Sequence, residues 1–352
     1  MLELFGEQAN FFAPLVVPNE WIRESSAPRA LIFYYHRISA EGNDPCMLNV
    51  SPENFARQVE VFSRELNCIT LGELAQSLEE NRLSPRTAVI TLDDGYADAL
   101  HQALPILDRC GAAATVFVTS RNSDSSPSEF WWDLLEQIVL EPRPLPEQLS
   151  LSINGEKKTW RLDRSPNLSL EEQEQHSTWN IHMQPPTDRH ALFADLHELM
   201  ARMTQVERQP VLDQLIQWSG REPICRESRR TLSATELKQL AACNNIELGA
   251  HTISHPVLSQ LDDAEQWQEI AGSKTFLEQA AETNVRSFAY PYGRRGDFTE
   301  KTVALVRDAG FTTACCTVAD VTWAGSDRYR LPRLPMLNCN PDLISDWLKL
   351  WF

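Results

Sequence analysis

The stretch that most constrains this chain is Ala88-Val89-Ile90-Thr91-Leu92-Asp93-Asp94-Gly95-Tyr96. An apolar run rich in β-branched residues, long enough for one buried strand, stops at two adjacent carboxylates and a glycine. The middle of such a strand has no use for acids, but its carboxyl end can carry them at the mouth of a parallel sheet. There the two acids can divide the work, one on a metal ion and one left free as a base. Adjacent carboxylates repel each other, and a bound cation lets both ionise.

A second stretch, Ile246-Glu247-Leu248-Gly249-Ala250-His251-Thr252-Ile253-Ser254-His255, offers partners for that cation. Again a short apolar strand runs out, and two histidines separated by three residues follow. With one carboxylate they make a two-His, one-Asp set, which suits zinc or a similar divalent ion with a position left open for water. Alone, the first stretch also reads as a strand ending in a turn, and the second as accidental spacing or a helix face. Together, each after its own strand, they point to one site.

The chain has 352 residues, which exceeds a typical single domain but fits one α/β barrel of roughly 250 residues carrying an insertion. A formal net charge of −17 disfavours nucleic acid and anionic membrane as electrostatic partners. Eight cysteines, with Cys315 and Cys316 adjacent and no Cys-x-x-Cys pair, favour reduced, mostly buried thiols and a cytoplasmic setting over a disulfide frame. Met1 to Asn10 carries acids and no basic region, so it does not read as a signal peptide. No run reaches the roughly eighteen apolar residues of a membrane span.

Strand and helix patterns alternate along most of the chain. Ala30 to Tyr35 reads as a first strand ending at His36-Arg37; Ser51 caps a helix that places Phe55, Val59 and Phe62 on one face. A strand at Cys68 to Thr70, a helix from Leu71, a helix over Ala97 to Cys110 and a strand over Ala114 to Val118 follow. From about Ser120 to Arg230 the alternation lapses into an amphipathic helix opened by Phe130-Trp131-Trp132, a hairpin around Asn154-Gly155 and a helical stretch near 188 to 218. It resumes with Ser233 and Glu236 as a capping box, the histidine strand, a helix over Asp263 to Glu282, strands over Val285 to Tyr290 and Phe311 to Cys316, and a closing helix ending in Trp347-Leu348-Lys349-Leu350-Trp351-Phe352. Such alternation implies a parallel sheet closing into a barrel. The division is an N-terminal extension at 1–28, a barrel at 29–120 and 231–352, and an insertion at 121–230, expected to cap the barrel or act as a lid that selects substrate. Trp131 and Trp132 are expected to supply stacking surfaces for a sugar, with core packing as the alternative.

Thr91-Leu92-Asp93-Asp94-Gly95 and His251-Thr252-Ile253-Ser254-His255 resemble the first and second motifs of the polysaccharide deacetylase family, carbohydrate esterases with a NodB homology domain. Phe288-Ala289-Tyr290-Pro291-Tyr292-Gly293 is similar to the third. The likeness covers roughly residues 30 to 120 and 230 to 340. It implies an irregular (β/α)7 barrel of the NodB type, here with a mainly helical insertion, and one divalent metal, expected to be Zn, with Fe, Co, Ni and Mn as alternatives. It also assigns roles: Asp94, His251 and His255 hold the metal, Asp93 is the general base, the backbone N–H of Tyr292 stabilises the oxyanion, and Tyr290 and Pro291 border the substrate. A Tyr-His pair at the first strand end supplies the acid in some members, so His36 inherits that role.

Two departures accompany the likeness. The arginine of the family's third motif is absent, since Ala289 stands before Tyr290-Pro291, and Arg333, in the run Leu331-Pro332-Arg333-Leu334, is the expected substitute for orienting the base. The family's late Leu-x-His motif is also missing, which throws weight on His36. The implied reaction is hydrolysis of an N-acyl group, acetyl first, from an amino sugar in a glycan or glycan precursor. Deformylation, ester hydrolysis or carbohydrate binding without turnover are the alternatives. The partner is then a carbohydrate, with membrane contact only if the sugar is lipid-linked.

Overall fold

Apolar runs too short for helices become seven parallel strands in the computed structural model, which describes residues 28–40, 43–120, 128–163, 167–339, 342–349 and 351. The expected N-terminal extension, apart from residue 28, and the first residues of the expected insertion lie outside the described residues. The strands are β1 (Arg29–Tyr35), β2 (Thr87–Leu92), β3 (Ala114–Val118), β4 (Ile246–Ala250), β5 (Ser287–Ala289), β6 (Thr313–Cys315) and β7 (Leu334–Pro335). The first six pair with one another in that order. β7 returns to β1 through Phe33↔Leu334, and a parallel bridge between Cys315 and Leu331 joins β6 to the approach to β7. The sheet therefore curls round on itself as the NodB-type barrel expected from the motifs. It is irregular because Asn67–Ile69 pairs with the amino-terminal half of β2, while Thr322–Trp323 runs antiparallel to the start of β1.

Side chains alternate across each strand, and one parity faces the barrel interior. Ala30 and Ile32 of β1, Val89 of β2, Phe117 of β3, Ala289 of β5, Cys315 of β6 and Leu331 form one fully buried cluster with Leu71 and Leu74 of the Leu71–Glu79 helix. Each large apolar side chain so buried contributes about 1.5–3 kcal/mol. The opposite parity packs against helices: Phe33 stacks on Phe62 with ring centroids 4.2 Å apart, and the Tyr35 hydroxyl donates to Gln58 Oε1 at 2.8 Å. Ser51 caps that Pro52–Glu65 helix by accepting from the Asn54 N–H. The closing helix, Asp342–Leu348, buries Ile344, Trp347 and Leu348, and Trp347 lies 6.0 Å from Phe33. Its apolar face is thus spent on the barrel. Among the described residues no helix is long and apolar enough to cross a membrane.

The expected helix over Ala97 to Cys110 divides into a wide π turn at Ala99–Ala103 and an α-helix at Leu104–Cys110. Pro105 has no N–H to offer the regular ladder, and the widened turn precedes it.

Among the described residues the chain forms two compact units, one of 28–40, 49–120 and 232–351, the other of 43–48 and 128–231. The second unit is mainly helical, with helices Trp131–Leu140, Asp188–Ala201 and Gln205–Ser219 and a hairpin of Gln148–Ile153 and Glu156–Arg161. Leu149, Leu151 and Ile153 alternate into its core with exposed residues between them, and Asn154 and Gly155 turn the hairpin at φ 51° and 82°. A buried charge network, Arg226 with Glu129 at 2.8 Å and Arg229 with Asp133 at 3.4 Å, ties the Trp131–Leu140 helix to the end of the unit.

Candidate active site

The inward parity that fills the barrel with Ile32, Val89 and Phe117 continues beyond the carboxyl ends of the strands. There it presents His36 after β1, Asp93 after β2 and His251 after β4, and Arg333, just before β7, reaches the same place with its side chain. Asp93 and Arg333 form a two-pronged ion pair, with Nη1 donating to Oδ1 and Nη2 to Oδ2, both at 2.7 Å. Arg333 is 0% exposed and Asp93 3%. The guanidinium is fixed from all sides: Nη1 also donates to Thr91 Oγ1, Nε donates to the Cys316 carbonyl, and the group lies over the rings of Tyr34 and Phe117 at 5.0 and 5.5 Å. Burial, the largest single influence, pushes the Asp93 carboxyl up, but the Arg333 charge and hydrogen bonds together with the His251 and His36 rings outweigh it and hold it below its usual range. The same pairing holds Arg333 firmly protonated against its own burial.

Asp94 turns the other way. Its φ of 73° and the 80° of Gly95 make consecutive left-handed residues, which swing the second carboxylate away from the first. A Cβ on Gly95 would lie 2.9 Å from Val118 Cγ1, so only glycine allows the loop to lie against β3. Asp94 Oδ1 then sits 3.6 Å from His251 Nε2 and 3.5 Å from His255 Nε2. One ligand atom from each of the three residues lies within 4.8 Å of the others, and all three residues are buried. Donor atoms about 2.0–2.1 Å from a tetrahedral zinc stand roughly 3.3 Å apart, so the set fits a divalent ion of that size. The tautomer fits as well: His251 Nδ1 lies 2.8 Å from the Ala289 carbonyl, which can only accept. The proton is therefore on Nδ1 and the Nε2 lone pair faces Asp94. Burial holds the His251 ring below its usual pKa, which keeps it neutral as a ligand must be.

His36 lies at the same end of the barrel, its ring edge-on to Tyr34 at 5.7 Å. Burial brings its pKa down to about 4, with the Asp93 charge opposing. The segment after it is anchored by residues that follow the acidic pair: Arg37 packs over Tyr96 at 5.5 Å, and the Ile38 N–H donates to Asp98 Oδ2 at 2.8 Å. Tyr292 has φ 58° and Gly293 69°, and the Tyr292 ring meets His255 edge-on at 4.8 Å. The Thr317 hydroxyl donates to the Tyr292 carbonyl at 2.6 Å, which fixes the peptide plane of this turn.

Three expected substrate contacts, Tyr290, Trp131 and Trp132, are corrected. Tyr290 is 0% exposed, stacks on Phe298 at 4.0 Å and donates its hydroxyl to the Tyr329 carbonyl at 2.9 Å. Its phenol is consumed by packing, and the buried Pro291 serves the turn. Trp131 and Trp132 are 7% and 6% exposed within the second unit. Trp132 stacks on Phe130 at 4.4 Å and Trp131 lies under Arg208 at 4.8 Å, so neither offers a free face to a sugar. Amphipathic spacing at a helix start placed these rings in the core. Conversely, sequence reading passed over Thr91, Tyr96, Asp98 and Thr317, which hold the reactive groups in place. Strand parity would have found Thr91, two residues before Asp93; Thr317 carries no local signal.

A family model described as polysaccharide deacetylase matches residues 80–183 and 217–314, more than half of the chain. The Bacillus subtilis protein YxkH, itself named provisionally as a polysaccharide deacetylase, is 29% identical over 104 residues, 29% of this chain and 36% of that protein. The chain thus spans about a third of that curated relative. Among solved structures, the Streptococcus pyogenes deacetylase PplD in complex with acetate aligns over 93% of this chain and 100% of its own, with a TM-score of 0.53 and 17% identity. IcaB from Ammonifex degensii aligns over 92% and 98%, with a TM-score of 0.54 and 15% identity. These two likenesses concern the fold.

Proposed function

The chain belongs to the polysaccharide deacetylase family, and from that premise we infer that it is a metal-dependent hydrolase that removes an N-acyl group, acetyl first, from an amino sugar. The observation that carries this reading is the juxtaposition of two unlike carboxylates: Asp94 within 3.6 Å of two imidazole nitrogens, and Asp93 clamped by Arg333. Acetate bound to the S. pyogenes relative is the acid such a reaction would release.

Asp94, His251 and His255 would hold the ion, which when bound supplies a Lewis acid for the acyl oxygen and water acidified toward a pKa of about 7. Asp93 accepts the proton of the attacking water; because its carboxyl is held low, it is ionised throughout the neutral range and always in its acceptor form. Arg333 keeps that carboxylate in one orientation through both oxygens, so the lone pair that takes the proton is aimed before substrate arrives. The Tyr292 backbone N–H donates to the developing oxyanion, an interaction of about 3 kcal/mol for a well-placed donor. His36 enters neutral, since its pKa is about 4, takes up the proton that Asp93 accepted from the water, and passes it to the leaving amine, which cannot depart as an anion; Asp93 and His36 end the cycle as they began it. The C–N bond breaks, and the products are a carboxylic acid and a free amino sugar.

The family's missing third-motif arginine, taken alone, favours a binding protein without turnover. The pairing of Arg333, from just before the strand beside β1, with Asp93 supports it as the substitute and the hydrolase as the better reading. The test is metal content of the purified protein, then acid release from N-acetyl, N-formyl and O-acetyl sugars, with Asp93→Asn as control. Acetate from an N-acetyl sugar, lost in Asp93→Asn with metal retained, is the expected outcome. Bound metal with no release from any acylated sugar would overturn turnover and leave binding. Cytoplasmic location is part of the proposal, supported by eight cysteines that are all free thiols.

A further inference from the structure

The loop that carries both histidines is strained. Thr252 has φ 65° and His255 56°, and a β-branched residue in the left-handed region is a true outlier. Such residues persist only where the surroundings over-determine them. On one side the end of β3 holds the loop: Ser120 N–H donates to the Thr252 carbonyl at 3.1 Å and Thr119 Oγ1 to the His251 carbonyl at 3.3 Å. Within the loop, Thr252 Oγ1 accepts the His255 N–H at 3.0 Å.

The other side rests on one carboxylate. Glu269, in the middle of the Asp263–Ala281 helix, accepts the N–H groups of Ile253 and Ser254 on Oε2, both at 2.8 Å, and the Ser254 hydroxyl on Oε1 at 2.6 Å. The helix and loop are pressed together there, since a Cβ on Gly272 would lie 2.7 Å from Ile253 Cδ1. Glu269 thus fixes two of the residues that lie between the histidines. We propose that Glu269 is a positioning residue that pre-organises His251 and His255 for the cation and thereby sets metal affinity. This rests on the reading of Asp94, His251 and His255 as a metal site.

The full chain is stripped of metal and titrated with Zn²⁺ against a chromophoric chelator, comparing parent, Glu269→Ala and Glu269→Gln, with the melting temperature of each metal-free protein recorded alongside. Glu269→Ala is expected to bind Zn²⁺ about 10- to 100-fold more weakly, the usual cost of removing groups that orient ligands. Glu269→Gln keeps a carbonyl oxygen for both N–H donors and is expected within about threefold of the parent. Saturating Zn²⁺ should return Glu269→Ala turnover to near the parent value. A merely structural glutamate would lower the metal-free melting temperature and leave affinity alone. The proposal is overturned if folded Glu269→Ala binds Zn²⁺ within threefold of the parent, or if Glu269→Gln loses as much as Glu269→Ala. Should Glu269→Ala fail to fold, Glu269→Asp decides: tenfold weaker binding supports the proposal and unchanged affinity overturns it. A parent that binds no Zn²⁺ sinks the metal-site reading itself, a different result from a parent that binds and a variant that binds equally.

Discussion

Arg333 and Asp93, 240 residues apart in sequence, are each the other's reason for being buried. Removing one partner of such a pair leaves an uncompensated charge in the interior and costs about 3–5 kcal/mol. Arg333→Met is therefore expected to lower stability by about that amount in urea unfolding. The double variant Asp93→Asn/Arg333→Met should regain most of it, because no lone charge is left, while acyl release stays absent in both. A double variant as unstable as the single one would mean that the arginine acts by packing against Tyr34 and Phe117 rather than by charge. His36 makes a separate claim. Its replacement by Ala should lower turnover about a hundredfold or more with bound metal unchanged, as for other general acids, and turnover within twofold of the parent would remove it from the mechanism.

At the scale of elements, the site depends on strand parity and on how closely β4 approaches β3. A Cβ on Gly249 would lie 2.4 Å from Phe117 Cδ1, so glycine is what lets that ring fill the barrel beneath Arg333 and His251. Gly249→Ala is expected to cost about 1–3 kcal/mol through overpacking. It should also weaken turnover through the displaced ring, and calorimetry showing an unchanged melting temperature would deny the contact its importance. Parity was legible: Val89, Thr91 and Asp93 share a face by count alone. The turns were not. Left-handed backbone at Asp94, Thr252, His255 and Tyr292 has no glycine to announce it, because tertiary hydrogen bonds hold these residues where their own preferences would not.

The molecule as a whole carries its titrations in buried rings. Burial lowers the pKa of His190, in the Asp188–Ala201 helix, to about 4, and that of His36 likewise. Between about pH 6.5 and 4 the unfolded chain takes up protons at these residues and the native state does not, so stability falls as pH drops through that window. Asp93 acts in the same direction at lower pH: its folded pKa is also depressed, so its contribution is present above about pH 4 and is lost only as pH falls further, through the folded value. The urea midpoint of metal-free protein should therefore decline from pH 7 to pH 4, and His190→Gln should shallow that decline. An identical slope in His190→Gln would show that other groups carry it.

Order and chemistry belonged to the sequence alone. Short apolar runs ending in Asp93-Asp94 and in His251 to His255 read, taken together, as strands with polar carboxyl ends, and helical runs between them implied a parallel sheet. The candidate metal donors could be named there because carboxylates and imidazoles are able to ligate a divalent ion in whatever fold brings them together. Tertiary structure decided what local pattern cannot encode: that Arg333 meets Asp93 through two hydrogen bonds, and that Tyr290, Trp131 and Trp132 pack inside. The reason is that an aromatic ring or a guanidinium has the same sequence signature in a core as in a pocket. Only the closing of the ring between β6, β7 and β1 determines which side of each strand is inside.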